Sequence, residues 1–303
     1  MSPPHATDNP VLGIGLMMGF VVFGPFIDIF AKLATETIPV IEIAMFRFLV
    51  QGIWLLPIAA FIGCLSLPDR RDIWLYLMRG FLILMSTVTI VGAVKFMPIA
   101  DAIAIVFVEP LILLLLGKYF LGETVGWRRL TACVFGFFGA VLVIQPSFVE
   151  FGWPAFLPLA TAIFFAIYLI MTRSMSRRIH PVAMQTYTSA GALVVSVPLL
   201  LAFDGSGVAM LDPVLPEGDA VIWLFLCGTA AAVSHMFLSY AFRFAPTTIL
   251  GTIHYLEIAT ATIYGYLIFN DLFNGLAAIG VSIIIATGLY LMMRERTLSR
   301  QGS

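Results

Sequence analysis

Charge is scarce in this 303-residue chain: Asp, Glu, Lys and Arg together make up 11% of it, and the formal net charge is −1. Ordinary soluble domains carry about 25% charged residues. A chain so poor in charge cannot solvate a globular surface, and without a basic excess it offers nucleic acid no partner. Cysteine is scarcer still. Cys64, Cys133 and Cys227 lie far apart, in or beside apolar segments, which argues against a disulfide framework or a zinc site of ordinary ligand spacing. No metal and no cofactor are expected. A Walker-type glycine loop is missing, so ATP hydrolysis is not the expected energy source. An intramembrane acyl or phosphoryl transferase would need a His/Asp or Ser/His constellation at one membrane face. None is evident, no catalytic residue is assigned, and a non-enzymatic role is expected.

What remains is apolar. Hydrophobic residues make up 61% of the chain, and its mean hydropathy is +1.03. Apolar windows fall at about 11–33, 40–63, 73–95, 99–120, 129–146, 154–173, 182–203, 219–242, 246–269 and 273–293, each near the roughly 20 residues a membrane helix needs. The expected fold is an all-α integral membrane protein with ten transmembrane helices. The N-terminal MSPPHATDNPVLG has no Lys or Arg, and the apolar run after it is too long for a signal-peptide core, so it reads as a retained first span.

With the N-terminus inside, the even-numbered loops and the C-terminus hold Arg70, Arg71, Lys118, Arg128, Arg129, Arg173, Arg177, Arg178, Arg243, Arg294, Arg296 and Arg300, and the other side holds only Lys32 and Lys95. The positive-inside rule then puts both termini in the cytoplasm.

One stretch, Lys95 to Glu123, recurs. Sliding the sequence by 148 places sets Arg243 to Asp271 beside it, so that Pro98 meets Pro246, Glu109 meets Glu257, Gly117 meets Gly265 and Glu123 meets Asp271. Each glutamate lies eleven residues after its proline, about 16 Å along a helix and close to the midplane of a core about 30 Å thick. The reading is a tail at 1–10, a five-helix repeat at 11–146, a second at 147–293 and a tail at 294–303. An odd number of spans per repeat inverts the second relative to the first, an arrangement transporters use to expose one central site to either side.

A charged side chain at mid-bilayer costs about 2.5 to 3.5 kcal/mol on insertion scales, so each needs a reason. Glu109 and Glu257 either bind a cationic part of a substrate or exchange a proton with it; as plain structure, they join two helices. His254 precedes Glu257 by one turn in HYLE and can face the same space, as a relay or, with Tyr255, as an aromatic wall. Arg47, in EIAMFRFLVQ, either neutralises Glu42 or Asp101 across helices or holds a substrate carboxylate bidentately. The secondary candidates are Asp101, Arg79, His235 and Tyr240. Asp101 opens the fourth span, where an acid suits the helix dipole. Arg79 is near enough to one face to snorkel. His235 shows no partner in the sequence. Tyr240, with Tyr168, Tyr187, Tyr255 and Tyr264, lies deep enough to line a cavity for a planar substrate. Asp28 and Lys32, four apart, read as an intrahelical ion pair. Pro25 and Pro110 are expected to kink their spans.

PVIEIAMFRFLVQ, KFMPIADAIAIVFVEPLILLLLGKYFLGETVGWRR and GFFGAVLVIQP resemble the hallmarks of the drug/metabolite transporter superfamily, in its branch with two EamA domains. The second half departs more: FNDLFNG stands where LGETVGW does, and Ile258 where Pro110 does. The resemblance implies a ten-helix inner-membrane carrier with two inverted repeats and alternating access. Members export amino acids and related metabolites, or take up riboflavin or S-adenosylmethionine. The expectation is a secondary transporter that exports an amino acid or derivative. Uptake of riboflavin, S-adenosylmethionine or a similar heterocycle is the alternative. Its partners are then the cargo, the bilayer and, through Glu109 or Glu257, protons. Transport indifferent to a pH gradient, together with active Gln variants, would remove the proton. The glycine runs imply no oligomer.

Overall fold

Apolar runs of this length leave their amides no water to bond, so the backbone must satisfy itself within each segment, as helix. The computed structural model describes residues 9–122, 126–176, 178–208, 211–270 and 275–301, and among them every regular element is helical. In order these are α1 (Pro10–Phe23), α2 (Pro25–Ala34), α3 (Val40–Phe61), α4 (Arg70–Val94), α5 (Ile99–Val106), α6 (Glu109–Leu121), α7 (Trp127–Phe151), a 3₁₀ turn (Trp153–Phe156), α8 (Leu157–Ser176), α9 (Pro181–Phe203), α10 (Asp219–Phe244), α11 (Thr247–His254), α12 (Glu257–Phe269) and α13 (Gly275–Gln301). Glu123, Arg177 and Asp271 lie outside the described residues, as do the side chains of Arg129, Cys133, Arg294, Arg296 and Arg300.

Seven stretches of the described residues are long and apolar enough to cross a membrane: Pro10–Ala34, Val40–Phe61, Arg70–Val94, Asp101–Leu121, Trp153–Ser176, Pro181–Phe203 and Asp219–Phe244. Where three more spans are expected, the apolar runs are shorter: Leu130–Gly139 within α7, α12 itself, and Ala278–Thr287 within α13. α7 also runs past Pro146 to Phe151, and Gly152, at φ 73°, makes the turn into the next segment. The chain is a multi-pass membrane protein.

Besides the first span, which divides into α1 and α2 at Gly24, two helices are broken in mid-course. The ladder is interrupted at Phe107 and Val108 between α5 and α6, and at Tyr255 and Leu256 between α11 and α12. Every bound of the second pair lies 148 residues beyond its counterpart in the first, as 257 minus 109 gives for the glutamates. Both pairs end on a left-handed residue, Gly122 at φ 66° and Asn270 at φ 56°. Pro110 brings no N–H to the first break. Ile258 does have one, and it reaches the Tyr255 carbonyl only at 3.4 Å. Since the same break forms with and without proline, the packing around it is the common cause. Its consequence is electrostatic: Glu109 and Glu257 each become the first residue of a helix, where unpaired N–H groups favour negative charge.

The helices assemble with α3 on α9 and α10, α4 on α8 and α9, α1 on α10, and α7 on α13. Two faces follow from the connections. One carries Cys64, Asp72, Arg178, His180 and Arg243, with Arg178 bonded to Asp72 at 2.7 Å. The opposite face carries Lys95 and the 204–218 connection, tied down where the Val214 N–H donates to Glu42 Oε2 at 3.0 Å. Between the faces the broken helices meet α1, α2, α3, α4, α8 and α10 around a cavity.

Candidate functional site

The cavity measures about 90 Å³, room for waters but well below the 300–1,000 Å³ typical of small-molecule sites. Its walls are Phe20, Phe107, Phe165 and several isoleucines, and its polar groups are Asp28, Arg47, Ser86, Thr87, Thr161, His235, His254 and Glu257. Acids and a guanidinium thus share one apolar enclosure.

His254 ties the two broken helices together. Its Nδ1 lies 2.8 Å from Glu109 Oε2 and its Nε2 lies 2.6 Å from Glu257 Oε2. A neutral imidazole has a single N–H, so two carboxylate contacts require one more proton, on the ring or on an acid. The triad therefore holds one proton beyond that of a neutral imidazole. Three aromatic rings, Phe20, Phe107 and Phe165, lie 5.4 to 5.9 Å from the His254 ring. The two acids are not equivalent. Glu257 lines the cavity, whereas Glu109 is fully buried behind His254, with Oε1 unpartnered. A Cβ on Gly24 would sit 2.6 Å from Glu257 Oε1, so only glycine there lets α1 and α2 bend against the carboxylate.

Arg47 is buried at the other side of the cavity. Its guanidinium donates to Thr87 Oγ1 and, at 2.6 Å, to His235 Nε2, while its Nε finds no acceptor. Because arginine only donates, His235 accepts through Nε2 and carries its proton on Nδ1. That Nδ1 lies 3.3 Å from the Tyr168 hydroxyl, which also accepts from Gln185 Nε2 at 2.9 Å. Gln185 reaches Ser239 Oγ at 2.6 Å and, more weakly, Gln51. A buried polar layer thus runs from the cavity towards the basic face.

Several sequence expectations need correcting. Asp28 does not pair with Lys32: it lines the cavity, and the Lys32 ammonium sits 4.6 Å above the Phe269 ring. Spacing puts two residues on one side of a helix without saying what surrounds each. Arg47 bonds neither Glu42 nor Asp101; Glu42 holds the Val214 N–H, and Asp101 is buried in the first turn of α5. Arg79 does not snorkel but is fully buried, because α8 and α9 cover the side of α4 it projects from. Tyr255 stacks on Phe107 at 5.7 Å and its hydroxyl points towards Gly136 of α7. Tyr240 packs edge-on against His180 at 6.1 Å and lines a separate apolar groove. Tyr187 donates to the Ser66 carbonyl at 2.5 Å, and Tyr264 stacks on Phe26 at 4.8 Å. The cavity's aromatic surface is phenylalanine. Asp28, Thr87 and Gln185 were missed as site residues, and Tyr168 was named only among the deep tyrosines.

A bent, multi-helix bundle with charges facing one another across a buried cavity is the architecture of a membrane carrier. The sequence profile of the EamA-like transporter family matches residues 11–145 and 152–294, and the chain belongs to that family. It is similar to an S-adenosylmethionine uptake transporter of Rickettsia conorii, 27% identical over 94% of this chain and 93% of the relative. A riboflavin transporter of Rhizobium johnstonii is 28% identical over 75% of this chain and 73% of its own. A pseudopaline exporter of Pseudomonas aeruginosa is 26% identical over 84% and 87%. A solved crystal structure shares the fold, with a TM-score of 0.69 at 17% identity over 95% of this chain and 97% of that one.

Proposed function

We propose that the protein carries a small metabolite bearing both cationic and carboxylate groups through the cavity between the broken helices, and that the Glu109–His254–Glu257 proton is exchanged during the cycle. S-adenosylmethionine, with a sulfonium, an amine, a carboxylate and a flat heterocycle, is the compound to test first. Similarity does not choose the cargo, since relatives of three cargoes stand at 26 to 28% identity. The observation that carries the reading is the charge distribution. Asp28 and Glu257 supply sites for cationic groups, Arg47 a site for a carboxylate, and Phe20, Phe107 and Phe165 a surface for a ring, all in one enclosure.

We take the chain to be ten spans in two inverted five-helix repeats, with both termini cytoplasmic in the inner membrane. The break repeated at a 148-residue offset and the segregation of basic residues support this. In that orientation the cavity lies nearer the outer face, and the Tyr168–Gln185 layer seals it from the cytoplasm. A cavity of about 90 Å³ must widen to take a metabolite, as alternating access requires. Uptake is the proposed direction, because an inside-negative potential draws a net cation inward. Export of an amino-acid derivative is the second reading, favoured by the similarity to the pseudopaline exporter.

Thermal stabilisation of the detergent-purified protein against S-adenosylmethionine, amino acids, riboflavin and nucleosides tests the cargo class, because a ligand bound only by the folded state raises its stability. Stabilisation by S-adenosylmethionine that disappears in Glu257→Gln is the expected result. Stabilisation by riboflavin alone, or a response that survives in Glu257→Gln, would overturn the charge argument.

A further inference from the structure

We propose that Arg79 is a second carboxylate-binding station, used when the carrier opens to the face opposite its present cavity. The proposal rests on the carrier reading above and adds a residue to its path. Arg79 is 0% exposed and forms no ion pair among the described residues. Its Nε donates to Thr188 Oγ1 at 3.1 Å, and its Nη1 to Thr172 Oγ1 at 2.9 Å and to the Met184 sulfur at 3.2 Å. Nη2 has no acceptor among the described residues.

These are weak partners for a buried cation. Both threonine hydroxyls spend their protons on their own helices, on the Met184 and Tyr168 carbonyls at 2.7 Å, and offer Arg79 only lone pairs. A thioether is a poor acceptor. A permanent charge in the membrane without a counter-charge is costly, and an anion that visits the site offsets that cost during part of the cycle.

Position supports the same role. Arg79 lies 4.6 Å over the Tyr168 ring, and the Tyr168 hydroxyl contacts His235, which bonds Arg47. The two guanidiniums therefore stand at opposite ends of one short polar chain. Arg47 faces the cavity, and Arg79 lies beyond Tyr168 towards the basic face. A substrate carboxylate released by Arg47 as Tyr168 swings aside meets Arg79 next, where it displaces the Met184 sulfur and engages the free Nη2. In the present conformation Arg79 is fully buried and outside the cavity lining, so its contribution falls on translocation rather than on first binding.

The test compares uptake of S-adenosylmethionine with that of its decarboxylated analogue, which keeps the sulfonium and amine, in proteoliposomes. Arg79→Met is expected to lower the ratio of the two fluxes about tenfold or more, with part of the ratio restored in Arg79→Lys. Thermal stabilisation by S-adenosylmethionine should fall less in Arg79→Met than in Arg47→Met. Should Arg79→Met not survive purification, Thr188→Val loosens the guanidinium and carries the same ratio test. Fluxes that fall together with an unchanged ratio would make Arg79 a helix-joining residue only and overturn the proposal, as would fluxes that do not change. A wild type that carries neither compound defeats the cargo reading first, and this one with it, a result distinct from an unchanged ratio.

Discussion

The two broken helices share their bounds and their left-handed ends, yet they hold their glutamates differently. In the α11/α12 pair the residue before the break is His254, and its partner Glu257 opens into the cavity. In the α5/α6 pair the same place is Val106, and Glu109 is sealed behind the imidazole of the other pair. Geometry is common to both halves, and chemistry is concentrated in one. On the proposed reading Glu257 is the acid that meets the cargo, while Glu109 acts through His254.

Replacing His254 with valine makes the second pair copy the first and should have the largest effect. Glu109 would then be a buried carboxylate with no partner, and breaking a buried pair of this kind costs about 3 to 5 kcal/mol. A large fall in the midpoint of thermal unfolding checks it; an unchanged midpoint would mean that the acids do not depend on the imidazole. Gly24→Ala comes next. Its Cβ, 2.6 Å from Glu257 Oε1 and 2.9 Å from the Phe20 carbonyl oxygen, meets the second half's acid and the α1 backbone but not Glu109, so cargo affinity should weaken about tenfold with a smaller loss of stability. Equal losses in binding and stability would erase the distinction between the two acids.

Exchanging the prolines probes the shared geometry. Pro110→Ile and Ile258→Pro should each change stability by no more than about 1 kcal/mol, since the break forms around either residue and the Ile258 N–H bond is already long. A loss of several kcal/mol in Pro110→Ile would show that proline makes the first break after all.

The smallest effect concerns the basic face. His180 caps α9, its Nδ1 accepting from the Val182 N–H at 3.4 Å, and burial together with Arg243 holds its pKa below the ordinary 6.5. A base whose folded-state pKa is depressed adds stability while neutral, and that stability is lost as pH falls below about 6.5. Unfolding midpoints of the wild type should therefore drop slightly more between pH 7 and 5 than those of His180→Asn, which keeps a cap.

Rare polar residues in apolar segments made much of the site legible. Glu109, His254 and Glu257 stand out because so little else at that depth is ionisable, and the repeat ties the two acids to one offset. Tyr255 was avoidable: two positions on a helix lie about 200° apart, so a tyrosine beside the triad in sequence faces away from Glu257 if the helix continues. Arg79 was not legible, because distance from a span end does not tell whether lipid or another helix covers the side chain. Asp28 and the Arg47–His235–Tyr168 chain depend on contacts between helices far apart in the sequence, 188 residues for Arg47–His235 and 67 for His235–Tyr168, which no local spacing encodes. The breaks were half legible. Pro110 marks one and nothing local marks the other.

The central claim is that a charged metabolite passes through the cavity in contact with Glu257. Uptake of labelled S-adenosylmethionine into proteoliposomes under an inside-negative potential, wild type beside Glu257→Gln, tests it most directly. The account predicts saturable uptake by the wild type that falls about a hundredfold in the variant. Wild-type uptake no greater than that of empty vesicles, or a variant that transports as well as the wild type, would contradict it.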